Sequence, residues 1–282
     1  MKIALCISGY FSNKNNDDLL ETNYIYNNVI NPIKQNGDNV DIFIHSFDKH
    51  NKDKILKKYP NTKNCIIESQ IDFINNLQDS NYKYYNMMCD HKYQDCGYNL
   101  QSTLSFLYSR CKSIKLALQY SKEQDFIYDC IIRARFDICI RLKEPFDGYK
   151  TDNLIFIPLL DFNYIYSTYW NQLNAGYVGC WEFSNSTNME IFSNMYDYVI
   201  NNMLVLNSEY LNTLNNWPDS NIYDFRTNEM LNINKSDKLA IYEFKYSSNN
   251  HLIEKFFMLK CGLYLKSKFL DFTPNASKII YG

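Results

Sequence analysis

An apolar segment that leads directly into charged residues constrains this chain more than any other feature. Residues 126–132 carry aromatic and β-branched side chains with almost no polar alternation. This is the pattern of a strand buried on both faces in a mostly parallel sheet. Arg133, Arg135 and Asp137 follow at once. Because ligand sites of open α/β sheets lie just beyond the carboxyl ends of the strands, the segment predicts a strand that ends at a binding site.

The three charged residues match the chemistry of a phosphate and of a metal ion. Arginine binds phosphate oxygens through two parallel hydrogen bonds. A carboxylate can hold Mg²⁺ or Mn²⁺ together with a pyrophosphate. Because alternate residues of an extended strand face the same side, Arg133, Arg135 and Asp137 are expected to point the same way. The alternative is a structural ion pair that closes the end of the strand.

A succession of strands and helices surrounds this segment. Apolar runs predict strands over residues 2–7, 39–47, 64–68, 154–158 and 176–183. Helical spacing predicts helices over residues 18–34, 99–120 and, with Ser186 as the N-cap, up to about Met203. Alternating strands and helices favour right-handed βαβ units. The predicted fold class is therefore α/β, with a Rossmann-like, mostly parallel central sheet flanked by helices in a single domain, 1–282.

The ends of the first two strands supply further candidates for ligand binding. The first strand runs into Ser8, Gly9 and Tyr10, where the glycine would let a ligand approach the backbone closely. The second strand ends in polar groups that include His45. The sequence therefore predicts one site shared by these residues and the arginines.

Four segments in this order resemble a known family. The segments are ALCISG at residues 4–9, DIFIH at 41–45, FLYS at 106–109 and YDCIIRARFD at 128–137. Their order is similar to that of polysaccharide-building glycosyltransferases of GT-A type, including bacterial and giant-virus members. The resemblance covers residues 1–160 best. It implies a nucleotide-binding half over about 1–150, an acceptor half over about 151–282, and a nucleotide-diphosphate sugar donor, with a UDP-sugar expected.

The resemblance also implies a divalent metal ion, Mn²⁺ or Mg²⁺, bound by an Asp-x-Asp motif after the fourth strand. In this chain Arg135 stands in place of the first acid, which leaves Asp137 as the direct metal ligand. Arg135 would then neutralise part of the diphosphate charge and do electrostatically what a cation otherwise does. Relatives often carry an arginine soon after Ser-Gly, whereas this chain has Phe11 and Ser12.

The second half of the chain is expected to hold the acceptor and the catalytic base. An aromatic segment at 161–170, interpreted as a loop, offers Tyr164, Tyr166, Tyr169 and Trp170 as rings on which a sugar could stack. The alternative is ordinary packing in a tyrosine-rich chain. An inverting transferase also needs a carboxylate to take the proton of the acceptor hydroxyl. The candidates for this base, Glu229 first and within a short helix, are Glu229, Asp224, Asp161 and Asp219. A retaining enzyme would need none.

Composition narrows the function classes. A net charge of −2 without a long basic stripe gives no general attraction for nucleic acid. No segment approaches the length of a membrane span, and the start of the chain lacks a signal-peptide pattern. The sequence therefore predicts a cytoplasmic protein in which cysteines such as Cys6 and Cys130 pack as small apolar side chains.

Two other functions are compatible with the same fold. A sugar nucleotidyltransferase would carry a glycine-rich, basic loop after the first strand, but residues 8–13 contain one glycine. A non-catalytic carbohydrate-binding or scaffold protein is the second alternative. The replacement of the first motif acid by Arg135 is the feature that favours it.

Overall fold

The computed structural model of the chain describes residues 1–11, 25–35, 37–77, 100–136, 161–170, 176–205, 207–210, 221–224, 229–232 and 250–270. The predicted strand at 154–158, the first part of the helix predicted at 18–34, and Asp137 and Asp219 lie outside these ranges. Within them, no helix combines the length and apolar character needed to cross a lipid bilayer.

A mixed sheet of seven strands forms the centre of the fold, in the order β3-β2-β1-β4-β6-β5-β9. The strands are β1 Lys2–Ser8, β2 Asn39–Ser46, β3 Thr62–Ile67, β4 Cys130–Arg135, β5 Ile165–Trp170, β6 Gly176–Ser184 and β9 Ser267–Leu270. β6 is antiparallel to both of its neighbours, and the other pairings are parallel. Strands from both halves of the chain thus build one mostly parallel sheet, as the α/β prediction required.

Helices cover both faces of this sheet. They are α1 Asn31–Gln35, α2 Lys52–Lys58, α3 Leu100–Glu123, α4 Ser186–Phe192, α5 Met195–Tyr198 and α6 Asn250–Lys260. π-helical turns at Tyr26–Ile30 and Val199–Met203, and 3₁₀ turns at Lys49–Asn51 and Tyr264–Lys266, extend them. One apolar core lies under α3 to α6, and a second lies under α1 and α2. The predicted strands at 2–7, 39–47, 64–68 and 176–183 and the helix at 99–120 are confirmed.

The central strand β4 begins four residues later than the apolar pattern predicts. Just beyond α3, Asp125 adopts the left-handed region, with φ +51°. The Phe126 N–H donates to the Ser121 carbonyl oxygen at 3.0 Å. These residues close the last turn of the helix in the manner of a Schellman cap. Residues 126–129 therefore belong to the cap of α3 and to the connection that leads into β4.

Three local predictions in the second half are wrong. The aromatic segment predicted as a loop is largely the strand β5. Asn185 rather than Ser186 caps α4, because its side chain accepts from the Asn188 N–H, at 2.9 Å. Glu229 begins a strand, β8 Glu229–Asn232, which pairs with β7 Asn221–Asp224, so it does not lie in a helix. Strand pairing decided the conformations of β5 and β8, which local spacing left open, whereas the cap of α4 depends on a local hydrogen bond.

Candidate functional site

The order of the strands creates a crevice between β1 and β4. From β1 the chain moves outward to β2 and β3, and then returns to the other side of β1 as β4. The carboxyl ends of β1 and β4 therefore meet where the direction of winding reverses, which is where open α/β sheets bind ligands. Ser8 pairs in register with His45 on one side and with Arg135 on the other. The sheet thus places three predicted site residues in one row at this edge.

Gly9 forms a turn directly beyond this row. Its φ of +108° is a conformation that residues with side chains rarely adopt. Its N–H donates to the Ser109 hydroxyl at 3.0 Å and to the His45 carbonyl oxygen at 3.2 Å. Among the described residues, no heavy atom outside Gly9 and its two chain neighbours lies within 4 Å of the point that a Cβ would occupy. The turn is therefore held from below and open on the side where a ligand would approach.

Tyr10 lies beside the turn and is half exposed. Its hydroxyl donates to the side-chain oxygen of Gln70, which also accepts from Ser105 at 3.3 Å. Burial raises the pKa of the Tyr10 hydroxyl, so it stays protonated at neutral pH and remains a donor. Tyr10 thus offers a ring face and a fixed hydroxyl at the rim of the crevice.

His45 is fully buried and is bound through both ring nitrogens. Nδ1 lies 2.8 Å from the Ser109 hydroxyl, and Nε2 lies 2.9 Å from a carboxylate oxygen of Glu68. Burial lowers the pKa of His45, although Glu68 pulls it upward, so the ring is neutral at pH 7. The carboxylate can only accept, hence Nε2 carries the proton and Nδ1 accepts from Ser109. Sequence reasoning missed Ser109 and Glu68 as site residues, although Ser109 closes the FLYS segment.

Arg133 lies in a fully buried ion cluster, which we define as Arg110, Arg133, Glu182 and Glu254. Glu182 lies 3.3 Å from Arg133 and 3.0 Å from Arg110. Arg110 also donates two hydrogen bonds of 2.8 Å to Glu254. The cluster joins α3, β4, β6 and α6. The Nε atom of Arg133 donates to the Ser8 hydroxyl at 3.2 Å, so the cluster reaches the row at the crevice.

The charges of this cluster balance. Burial lowers the pKa of Arg133 to about 10, with Glu182 opposing the shift and both Arg110 and Arg135 adding to it. Burial also acts to lower the pKa of Arg110, but Glu182 and Glu254 outweigh it and raise that pKa. Both guanidinium groups are therefore charged at pH 7. The Arg133 guanidinium is engaged with Glu182 and Ser8. A phosphate contact by Arg133 stays a prediction.

Arg135 is half-buried at the end of β4. Its charge contributes to the lowered pKa of Arg133, so two cations repel one another at this edge. Asp137 lies outside the described residues, and its metal role stays a prediction. Among the described residues, no group of three His, Cys, Asp or Glu side chains is placed to hold a metal ion. Within the described residues, the edge of the crevice combines the Arg135 cation with the Ser8 hydroxyl and the Gly9 turn.

The predicted acceptor and base residues lie on other elements. Tyr166 is buried and stacks on Phe183, with ring centroids 4.9 Å apart, so it packs in the core rather than forming an open wall. Tyr169 and Trp170 belong to β5 and pair with Tyr177 and Gly176.

The base candidates also occupy separate places. Asp161 is exposed and accepts from the Asn163 N–H at 3.0 Å, which makes it a turn residue. Asp224 and Glu229 face one another in register in the separate two-stranded sheet. The catalytic roles of Asp161, Asp224 and Glu229 stay predictions.

The chain was compared with known proteins at the level of sequence. No protein-family model matches it, and no curated protein matches it at a significant level.

Proposed function

We propose that this protein is a GT-A-like glycosyltransferase that moves a sugar from a nucleotide-diphosphate donor, with a UDP-sugar as the expected donor, to a hydroxyl acceptor. The observation that carries the proposal is the row of Ser8, His45 and Arg135 at the reversal between β1 and β4. Gly9 adds open space directly beyond that row. A crevice with a cation, a hydroxyl and an open glycine turn suits a diphosphate.

The electrostatics of the crevice support the same reading. Transfer of the sugar leaves a nucleoside diphosphate, on which negative charge develops, and a fixed cation stabilises that charge. Arg135 and Arg133 repel one another at this edge, and a bound anion would relieve that repulsion. Ser8, Gly9 and Tyr10 would contact the nucleotide, and Asp137 would hold Mn²⁺ or Mg²⁺. Such an ion would add positive charge at the same phosphates.

A non-catalytic carbohydrate-binding protein is the second candidate. It is favoured by one feature, the arginine that stands where the family carries the first acid of its metal motif. Both candidates predict a bound ligand, but only the transferase predicts recognition of the diphosphate and loss of sugar from the donor. Nucleotide binding therefore separates them.

The first experiment measures thermal stabilisation of the purified protein by nucleoside diphosphates and nucleotide sugars, with and without Mn²⁺. A ligand at a hundred times its Kd adds about 2.7 kcal/mol of stability. We expect stabilisation by one nucleotide class and its loss in Arg135→Ala. The control is Lys115→Ala, which removes an exposed cation of α3 that pairs with Asp197. Loss in Asp137→Ala would support the metal role. A protein that no nucleotide stabilises would refute the transferase.

Gly9→Ala and Gly37→Ala form a matched pair. Both glycines have positive φ, +108° and +82°, and in the described part of the chain no atom beyond their sequence neighbours lies within 4 Å of either Cβ position. We expect each alanine to cost about 1–2 kcal/mol of unfolding free energy through backbone strain. Only Gly9→Ala should weaken nucleotide binding, since its methyl group projects into the crevice. Equal nucleotide affinity in the two variants would place the ligand elsewhere.

A further inference from the structure

We propose that Ser109, His45 and Glu68 form a positioning relay that fixes the Gly9 turn for the diphosphate of the donor. This inference rests on the function proposed above and concerns residues that do not touch the reacting atoms. The relay comprises the three side chains and the hydrogen bonds between them. It connects α3, the end of β2 and the residue that follows β3 to the glycine turn after β1.

The hydrogen bonds of the relay run in one direction. The Gly9 N–H donates to the Ser109 hydroxyl, the Ser109 hydroxyl donates to Nδ1 of His45, and Nε2–H of His45 donates to Glu68. The Ser109 hydroxyl also lies 3.4 Å from the His45 carbonyl oxygen, which is a second acceptor. When His45 is neutral with its proton on Nε2, every donor of the relay meets an acceptor. Burial favours the neutral ring, and Glu68 favours the proton on Nε2. The relay is therefore fully satisfied in this arrangement, which is a condition for rigid positioning.

The same residue types form nucleophilic triads in hydrolases, but the geometry here favours positioning. A nucleophile must be reached by a substrate carbonyl, whereas Ser109 is 2% exposed. The Gly9 peptide lies over its hydroxyl oxygen and donates to it at 3.0 Å. The hydroxyl is thereby occupied by the backbone that a ligand would approach from the opposite side. Ser109 thus acts on the turn and not on a substrate.

The turn needs such a support because glycine is intrinsically mobile. Gly9 adopts positive φ at no steric cost, and so the chain alone does not hold one conformation there. Ser109 lies near the middle of α3, a helix of 24 residues packed on β1 and β2. A turn tied to that helix is ordered before the ligand arrives, which lowers the entropic cost of binding. Loss of the tie should therefore weaken binding.

The test compares Ser109→Ala with Ser109→Thr, which keeps the hydroxyl, and with Ser113→Ala as a matched control. Ser113 is also buried on α3, but its hydroxyl bonds only to the Arg110 carbonyl oxygen of its own helix, at 2.9 Å. In the ligand-free protein we expect amide hydrogen exchange at Gly9 to rise about tenfold in Ser109→Ala. Exchange at Gly37, whose N–H bonds to the Lys34 carbonyl oxygen, should not change. Ser109→Thr and Ser113→Ala should leave Gly9 protected.

Two further readouts address the imidazole and the ligand. Nitrogen NMR should show His45 as the Nε2–H tautomer, and Glu68→Gln should lower its pKa further, because the Glu68 charge raises it against burial and Lys112. The Tyr108 hydroxyl also donates a hydrogen bond to Glu68, and the Tyr108 ring packs against the imidazole of His45. Burial and Glu68 raise the pKa of this hydroxyl, so it stays protonated. The nucleoside diphosphate that stabilises the wild type should bind Ser109→Ala about tenfold more weakly, and Ser109→Thr should restore binding.

The outcomes separate the two proposals. Unchanged Gly9 exchange in Ser109→Ala would overturn the relay whether or not a nucleotide binds. Faster exchange with unchanged nucleotide affinity would overturn its role at the ligand site. If the wild type binds no nucleotide, the proposed function fails and so does the ligand half of this inference. The exchange data would then still decide whether the relay holds the turn.

Discussion

Glu254→Ala is expected to lower the free energy of unfolding by about 3–5 kcal/mol, because it leaves a buried guanidinium without its main partner. Arg110 and Glu254 are both fully buried and share two hydrogen bonds of 2.8 Å. After the change, Glu182 would be the only carboxylate of the cluster for two arginines. The cluster would then carry a net positive charge in a fully buried site. Denaturant unfolding of the variant and the wild type measures the difference.

A surface carboxylate provides the control for this prediction. Glu209 is exposed and pairs with Lys260 at the end of α6, so Glu209→Ala should change the unfolding free energy by less than about 1 kcal/mol. A double variant, Arg110→Met with Glu254→Leu, removes both charges and should recover most of the loss, since apolar replacements of a buried pair are often neutral. If Glu254→Ala and Glu209→Ala have the same free energy of unfolding, the cluster contributes little to the stability of the fold.

Local pattern predicted the strands and helices in which buried residues recur at a regular spacing along the chain. β1 and β2 are buried at nearly every position because helices cover both faces of the sheet, and this leaves a run of apolar residues within each segment. α3 buries one side over its whole length, which produces a helical period. Both signals are contained within a single segment and need no knowledge of the partner.

The partners of the site residues left no such signal. Arg110 and Glu254 are 144 positions apart in the sequence, and His45 and Ser109 are 64 apart. A buried carboxylate such as Glu182 looks like a surface residue in a strand until the opposing arginines are known. β5 was mistaken for a loop for a similar reason: its conformation depends on pairing with β6 and β9. The positions of candidate residues were predictable, but their neighbours were not.

The two arginines of β4 illustrate that limit and lead to opposite expectations. They are two residues apart on the same side of the strand, so the sequence predicts one shared role for them. In the structure Arg133 is fully buried against Glu182 and Ser8, whereas Arg135 is half-buried at the open end of the strand. Arg133 is therefore engaged within the fold, and we propose that Arg135 is the arginine that meets a ligand.

Arg133→Leu is accordingly expected to lower the unfolding free energy by about 3 kcal/mol, because Glu182 keeps only its contact with Arg110. Arg135→Leu should change it by less than about 1 kcal/mol, since a half-exposed charge is largely stabilised by water. A bound nucleotide should raise the unfolding free energy of Arg135→Leu less than it raises that of Arg133→Leu. Unfolding curves of both variants with and without the nucleotide measure the two quantities. If Arg133→Leu were stable but unable to bind, Arg133 would itself be the phosphate ligand, and its contact with Glu182 would have to break when the donor enters.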